Sequence, residues 1–267
     1  MDFRPALLTL IHRVFFGILL IASPCGFADE ASPPPNVVLA DAPKSAGVPK
    51  ARCQKTKALH RTAAAQAGRA KVVCFGDSIT NRGYFKVLEE LLDIESINAG
   101  KGGHSSAMGL RRLQSDVMVH DPDLVVVMFG TNDLRADSER VFVPVDKYKE
   151  NLQAIMTSCR EHGSKVVLCT LPPINEQKFF TRHEREPFAA LGGFSSVVQR
   201  YCNAAREVAS EHDVPLVDLN RLLAKQPEWL SQDGVHPSET GTRLIAEHIA
   251  KAVQAVIGGE SIGTAPQ

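Results

Sequence analysis

The 267-residue sequence has no excess of charge of either sign, because its 30 Lys and Arg residues equal its 30 Asp and Glu residues. Without a basic field, a nucleic-acid-binding role has no electrostatic support, and no nucleic acid partner is expected. Aromatic residues are also scarce, at 6% of the chain. The hydrophobic share of 44% is ordinary, so the composition is typical of a soluble globular protein rather than of a fibre or a repeat array.

The sequence also lacks the usual spacings of metal ligands. Neither Cys-x-x-Cys nor His-Glu-x-x-His occurs, so we expect no metal site and no cofactor. Two of the six cysteines, Cys74 and Cys169, fall within runs that read as buried strands, where a thiol acts as a small hydrophobic group. The spacing of the cysteines leaves the disulfide connectivity open.

No apolar run near the amino terminus is long and uninterrupted enough for a stable transmembrane helix. The strongest run, VFFGILLIA, fits the hydrophobic region of a secretory signal and is followed by small residues at Gly26 and Ala28. We therefore predict a signal peptide at residues 1–28, a secreted or periplasmic protein, and no stable membrane span after the signal is removed. Two alternatives remain open. The segment could be retained as an anchor, or Cys25 could carry a lipid, although Pro24 directly before it is a poor context for lipid attachment.

Residues 29–69 form the next segment, which begins with the stretch DEASPPPNVVLADAPKSAGVPK. A composition this rich in Pro, Ala and Ser cannot bury enough apolar surface to offset the conformational entropy lost on ordering. We predict a Pro- and Ala-rich linker that is followed, up to residue 69, by a basic segment. A flexible tail is predicted for residues 258–267.

Residues 70–257 alternate between short apolar runs and helical patterns. The apolar runs predict five strands, at 71–76, 94–98, 123–129, 165–171 and 214–218. The helical patterns lie at about 83–92, 105–119, 145–162, 194–212 and 238–257. Runs such as DLVVVMFG are apolar throughout, which is typical of strands that are covered on both faces. The alternation predicts one doubly wound α/β domain, a three-layer α/β/α sandwich around a five-stranded parallel sheet.

Polar and glycine-rich blocks stand where predicted strands end, at the edge where open α/β folds place their active sites. In chain order the blocks are FGDSIT (75–80), NAGKGG (98–103), GTND (130–133) and, just before the last helix, DGVHP (233–237). Each block has an ordinary structural interpretation as a turn, a glycine-rich bend or a helix N-cap. Together they supply every group that acyl transfer requires.

Ser78 is the candidate nucleophile, and it needs a base because a serine hydroxyl reacts poorly at neutral pH. His236 is the candidate base, and Asp233, three residues earlier, can orient its ring and stabilise the imidazolium. Negative charge that develops on the carbonyl oxygen needs fixed donors. The candidates are the backbone N–H groups of Ser78 and Gly103 and the side-chain amide of Asn132.

The block GTND also allows a purely structural interpretation. Asn132 and its neighbour Asp133 are both able to cap a helix, so the oxyanion role and the capping role of Asn132 stay open at this point. Asp77, which precedes the candidate nucleophile, is expected to shape the turn rather than to transfer protons.

The four blocks, in this order and on this strand pattern, resemble the conserved blocks of the SGNH hydrolases, also called GDSL-type esterases and lipases. The resemblance covers about residues 70–257 and implies a flavodoxin-like fold, a Ser–His–Asp triad and an oxyanion hole. Matched block by block, it assigns the nucleophile to Ser78, the oxyanion donors to Ser78, Gly103 and Asn132, and the acid and base to Asp233 and His236. In the second block Gly102 is also available, but Gly103 occupies the usual place, five residues after Asn98.

The resemblance implies a serine esterase that works through an acyl-enzyme. Export favours polymers outside the cytoplasm, so the expected reaction is removal of short acyl groups, such as acetyl, from carbohydrate, and the expected partner is a small-molecule or polysaccharide ester. One alternative is an acyltransferase that delivers the acyl group to a sugar hydroxyl. Another is a lysophospholipase or thioesterase of the same family. The absence of Gly-x-Ser-x-Gly argues against the α/β-hydrolase fold.

The connection after the fourth predicted strand, residues 172–193, is long for a loop in a compact domain. It mixes Phe179 and Phe180 with basic side chains that include Arg182 and His183. We predict either a lid or acceptor-binding loop over the site or a plain surface excursion. Its few apolar residues argue against a deep tunnel for long acyl chains.

Overall fold

A computed structural model of the protein describes residues 68–259. The signal peptide predicted for residues 1–28, the linker and basic segment predicted for 29–69 and the tail predicted for 258–267 lie outside the described residues, apart from residues 68, 69, 258 and 259. Among the helices between residues 68 and 259, none is both long enough and apolar enough to cross a bilayer.

Five strands form a single sheet in which every pairing is parallel. The strands are β1 (Ala70–Gly76), β2 (Ile94–Gly100), β3 (Leu124–Met128), β4 (Lys165–Cys169) and β5 (Leu216–Val217). Their order across the sheet is β2-β1-β3-β4-β5, with Cys74 at the centre of β1 facing Asn98 on one side and Val126 on the other. The predicted five-stranded parallel sheet is therefore confirmed.

The strand order reverses direction at β1, which has its successor β2 on one side and β3 on the other. Ligands of open α/β folds bind at such a switch point, in the crevice outside the carboxyl ends of the strands. The block that contains Ser78 follows β1, and the block that contains Asn132 follows β3. The topology thus brings these two blocks to the same crevice.

The helices run between the strands and along both faces of the sheet. In chain order they are α1 (Ser78–Asn81), α2 (Tyr84–Leu91), α3 (Ser106–Arg111), α4 (Leu113–Asp116), α5 (Val145–His162), α6 (Glu176–Phe179), α7 (Glu186–Ala190), α8 (Phe194–Glu211), α9 (Leu219–Leu222) and α10 (Glu239–Gly258). Short 3₁₀ helices occur at Met118–His120 and Pro227–Trp229.

Each face of the sheet carries its own apolar core, because successive side chains of a strand point to opposite faces. One core, against α5 and α8, includes Val73, Phe75, Val125, Val127, Leu152, Ile155, Val197 and Tyr201. The other, against α2 and α10, includes Val72, Cys74, Val126, Val167, Leu88, Ile245 and Ile249. All five residues of β3 are at most 1% exposed. Burying one such side chain stabilises the fold by roughly 1.5–3 kcal/mol, so the central strands form a rigid base for the loops at their ends.

The single helix predicted for residues 105–119 is wrong, because the chain forms two short α-helices and a 3₁₀ turn there. The break falls at Arg112, whose guanidinium turns inward and donates to the carbonyl oxygens of Gly76, at 2.7 Å, and Ala99, at 2.6 Å. It also lies 4.6 Å from the centre of the Phe75 ring. Arg112 thereby provides hydrogen bonds for backbone carbonyls at the carboxyl ends of β1 and β2, and the helix is interrupted at this residue.

Candidate active site

The turn after β1 presents Ser78 at the carboxyl edge of the sheet. Asp77 is the N-cap of α1, and its Oδ1 accepts a hydrogen bond of 2.9 Å from the backbone N–H of Ile79. Gly76 is required at the strand end, since a Cβ there would lie 2.2 Å from Thr80 Oγ1 and 2.4 Å from the carbonyl oxygen of Met128. The close approach of these groups forces a sharp turn that leaves Ser78 partly exposed.

The hydroxyl of Ser78 lies within hydrogen-bond distance of His236, although the two residues are far apart in the sequence. Ser78 Oγ is 2.8 Å from His236 Nε2, and His236 Nδ1 is 2.6 Å from Asp233 Oδ2. The three side chains therefore form a continuous series of hydroxyl, imidazole and carboxylate. Such a series can pass a proton from the hydroxyl to the ring while the carboxylate stabilises the imidazolium.

The carboxylate of Asp233 is held by a tight turn. Its Oδ1 accepts hydrogen bonds from the backbone N–H groups of Val235 and His236, both at 2.9 Å, and from the hydroxyl of Ser231 at 2.8 Å. Burial raises the pKa of Asp233, but the hydrogen bonds from the His236 and Val235 backbones and from the His236 and Ser231 side chains outweigh it and hold that pKa well below its ordinary value. Asp233 is therefore an anion at neutral pH. It accepts a hydrogen bond from the N–H at His236 Nδ1 and does not take up the proton itself.

Asn132 joins the loops that follow β2 and β3. Its Nδ2 donates to the carbonyl oxygen of His104 at 3.0 Å, which leaves the second hydrogen of the amide available. The loop before His104 is tied to the nucleophile turn by the backbone N–H of Lys101, which donates to Gly76 O at 3.1 Å. Gly103, with φ of 71°, adopts a left-handed conformation that favours glycine at this bend.

The capping interpretation of GTND does not match the observed backbone. In the described part of the chain, no helix begins between β3 and α5, so neither Asn132 nor Asp133 is the N-cap of a helix that follows it. The two neighbours also differ in environment, since Asp133 is fully buried whereas Asn132 is partly exposed. From the sequence alone both side chains could serve as helix caps, but in the fold only Asn132 is partly exposed beside the candidate nucleophile.

A cavity of about 80 Å³ lies beside Ser78. It is lined by Ser78, Thr131, Asn132, Arg135, Phe179, Arg182, His183, Val235 and His236. Three of the sequence-predicted site residues thus share one cavity, and Asp233 lies behind His236. Gly103 is not part of the lining, and its nearest neighbour beyond the loop is Arg140, 3.5 Å from the position that a Cβ would occupy.

The segment 172–193 contributes directly to this cavity through Phe179, Arg182 and His183. It is anchored by aromatic packing, because Phe179 is buried and its ring centre lies 5.6 Å from that of Phe188 and 4.8 Å from that of Phe194. Arg182 Nη2 donates to the carbonyl oxygen of Asp233 at 2.6 Å. The segment therefore forms one wall of the cavity and supports the turn that carries Asp233 and His236.

Two buried carboxyl groups lie directly beside the candidate nucleophile and oxyanion donor. Asp133 Oδ1 accepts hydrogen bonds from the hydroxyl of Ser106 and from its backbone N–H, the latter at 2.9 Å. Burial raises the pKa of Asp133 to about 6. Burial and, to a smaller extent, the charge of Asp133 raise the pKa of Asp77 to about 7. Sequence reasoning missed this pair, because neither residue lies in a run that signals burial.

The raised pKa values predict that stability falls as the pH rises. In the folded protein these carboxyls keep protons that the unfolded chain releases near its ordinary value of 3.8, so their contribution is lost as the pH rises through about 6 and 7. We expect Asp133→Asn to lose less stability than the wild type between about pH 5 and about pH 8, as measured by urea unfolding. Asp93→Asn, at a side chain that is 90% exposed, is the matched control. An identical pH dependence in Asp133→Asn and the wild type would contradict the account.

Comparison with known proteins places this chain and its fold in a recognised class of hydrolases. Residues 74–244 match the GDSL-like lipase/acylhydrolase family. The chain belongs to this family, which confirms the resemblance to SGNH hydrolases seen in the four sequence blocks. The protein is accordingly an SGNH-type hydrolase.

Relatives and solved structures agree with this assignment. The chain is 32% identical over 215 residues to the uncharacterized lipoprotein YqeF of Bacillus subtilis. The match covers 68% of this chain and 88% of that protein. Its fold matches the crystal structure of the acetyl xylan esterase AlAXEase with a TM-score of 0.58 and 28% identity, over 68% of this chain and 99% of the other. It matches the lipase/acylhydrolase from Enterococcus faecalis with a TM-score of 0.57 and 26% identity, over 70% and 96% of the two chains.

Proposed function

We infer that the protein is a secreted serine esterase that removes short acyl groups, such as acetyl, from carbohydrate. The observation that carries the inference is the series Ser78 Oγ, His236 Nε2, His236 Nδ1 and Asp233 Oδ2, with contacts of 2.8 and 2.6 Å, beside a cavity lined by Asn132. The geometry supports a role for each of these groups in one reaction.

In the first half of the reaction, Ser78 Oγ attacks the ester carbonyl while His236 Nε2 takes the hydroxyl proton. Asp233 holds the proton of His236 on Nδ1, so that Nε2 is free to act as the base. The imidazolium then donates its proton to the leaving alcohol, and the C–O bond of the ester breaks. In the second half, His236 takes a proton from water as the water oxygen attacks the acyl carbon. The bond to Ser78 Oγ then breaks, the imidazolium returns the proton to Oγ, and the carboxylic acid leaves.

The oxyanion of each tetrahedral intermediate needs donors that are fixed before the reaction begins. We assign this role to the side-chain amide of Asn132 and to the backbone N–H groups of Ser78 and Gly103. The hydrogen bond from Asn132 to His104 O supports the assignment, because it fixes the amide plane and leaves the second N–H for the oxyanion. The left-handed bend at Gly103 supports its part, because the absence of a Cβ leaves room for a substrate beside the backbone N–H.

The choice of a short acyl group on carbohydrate has two supports. The cavity beside Ser78 has a volume of only about 80 Å³, which suits an acetyl group better than a long acyl chain. A structural relative with 28% identity is an acetyl xylan esterase. Assays of the purified protein on nitrophenyl esters of increasing acyl length and on acetylated polysaccharides test the proposal. Activity that is highest on acetyl esters and includes acetate release from polysaccharide is expected, and a preference for long acyl chains would overturn it.

An extracellular or envelope location is supported by the predicted signal peptide and by the relative named as a lipoprotein. We expect the mature chain from the native host to begin at Asp29, as determined by amino-terminal sequencing. A chain that begins at a lipid-modified Cys25 would instead favour the lipoprotein alternative. A chain that retains Met1 in the membrane fraction would favour the anchor alternative.

A further inference from the structure

A second imidazole, that of His183, lies in the wall of the cavity beside Ser78. Its Nδ1 is 3.2 Å from Asp137 Oδ2, and its side chain is 17% exposed. The ring packs against Phe179, with the two ring centres 4.3 Å apart. Like His236, His183 is therefore an imidazole whose Nδ1 faces a carboxylate and whose position is fixed by packing.

Asp137 influences which of the two ring nitrogens of His183 carries the proton. That carboxylate also accepts hydrogen bonds from Arg135 Nε at 2.7 Å and Nη2 at 2.9 Å. Burial raises the pKa of Asp137, but the bonds to Arg135 and its charge lower it below the ordinary value, so Asp137 is an anion. An anionic oxygen 3.2 Å from Nδ1 favours the tautomer with the proton on His183 Nδ1, and in that tautomer Nε2 carries a lone pair.

The neutral form of His183 is favoured by its surroundings. Burial and the positive charge of Arg135 lower the pKa of the ring, although the charge of Asp137 opposes them. Between residues 68 and 259, no group is hydrogen-bonded to His183 Nε2, and the side chain borders the cavity. With Nδ1 next to Asp137, Nε2 is the ring nitrogen that remains for a ligand in the cavity that His183 borders.

A donor lies in the same wall. The guanidinium of Arg182 lines the cavity, is 45% exposed and uses Nη2 to donate to Asp233 O. Because a guanidinium carries five N–H groups, others remain for a ligand. A wall with one acceptor and one partly free donor matches a molecule whose hydroxyls both donate and accept hydrogen bonds. The ester of a simple alkyl alcohol has no free hydroxyl.

We propose that His183 is a specificity-determining residue whose Nε2 accepts a hydrogen bond from a free hydroxyl on the alcohol part of the ester, so that the enzyme prefers acylated polyols and sugars to esters of simple alcohols. This inference rests on the proposed esterase function and narrows its substrate class. His183 takes no part in proton transfer to Ser78, since His236 occupies that position at 2.8 Å.

The test compares three variants on two esters that carry the same acyl group. One ester is a monoacetylated methyl glycoside with its other hydroxyls free, and the other is ethyl acetate. His183→Phe keeps a ring against Phe179 but has no acceptor. His183→Asn keeps an amide near Asp137 but ends short of the position of Nε2, and His183→Gln returns an amide oxygen close to that position. Steady-state kcat/KM is measured for each variant on each ester.

We expect His183→Phe and His183→Asn to lose roughly 3- to 10-fold in kcat/KM on the glycoside, the effect of one neutral hydrogen bond, and to stay within about twofold of wild type on ethyl acetate. His183→Gln should recover part of the loss. Equal losses on both esters, or no loss on the glycoside, would overturn the inference and leave the esterase function standing. A wild-type protein without activity on either ester would overturn the proposed function itself, and the inference with it.

Discussion

Replacing Ser78 by alanine should lower kcat for ester hydrolysis by about 10⁴-fold or more, because the hydroxyl that lies 2.8 Å from the base His236 is then missing. The folded state should change little, since the variant loses one partly exposed hydroxyl and a single hydrogen bond to His236. We expect a loss of stability within about 1 kcal/mol. Initial rates on nitrophenyl acetate and a thermal unfolding curve measure the two effects.

Ser238→Ala is the matched control for this prediction. Ser238 caps α10, where its Oγ accepts a hydrogen bond of 2.9 Å from the backbone N–H of Gly241. Loss of that cap should cost about 1 kcal/mol of stability while the rate stays within a few-fold of wild type. Hydrolysis by Ser78→Ala at a rate comparable with that of Ser238→Ala would remove Ser78 from the mechanism.

Replacing Asn132 by alanine should lower kcat by roughly 100- to 1000-fold with a small change in KM, because the hydrogen bond to the oxyanion matures in the transition state. The variant also loses the bond to His104 O, which should cost about 1 kcal/mol of stability. Steady-state kinetics separate the two effects, since a merely destabilised enzyme that is still folded at the assay temperature keeps its kcat.

Asn175→Ala provides the matched control for Asn132. Asn175 is an asparagine N-cap in the same region of the fold, and its side chain accepts a hydrogen bond of 3.0 Å from the backbone N–H of Lys178. Its loss should cost a similar amount of stability but leave kcat within a few-fold. Asp133 is unsuitable for this purpose because it is fully buried. A kcat of Asn132→Ala close to that of Asn175→Ala would mean that Asn132 is structural and that the oxyanion hole has other donors.

The fold could be predicted from the sequence because its signals are local and agree with one another. Runs such as that of β3 are apolar throughout, which occurs when both faces of a strand are covered, and glycine or polar residues mark the point where the strands end. Those ends carry three of the four blocks, so a correct strand pattern also gathered Ser78 and Asn132 at one edge of the sheet. The family assignment followed from the same residues.

The rest of the site depends on contacts between distant parts of the chain. Sequence reasoning had no means to pair His183 with Asp137, which lie on different connections and meet only after folding. The inward turn of Arg112 that breaks the predicted helix depends on carbonyl groups at the ends of two strands. The difference in burial between the neighbours Asn132 and Asp133 likewise arises from packing and has no local signature.

The central claim is that Ser78 is the nucleophile and that His236 activates it. Reaction with a serine-directed fluorophosphonate, followed by mass spectrometry of the digested protein, tests this most directly. The account predicts a single adduct on Ser78, no adduct in Ser78→Ala, and much slower labelling in His236→Ala, because the hydroxyl then has no base within reach. An adduct on another residue, or labelling of His236→Ala at the wild-type rate, would contradict it.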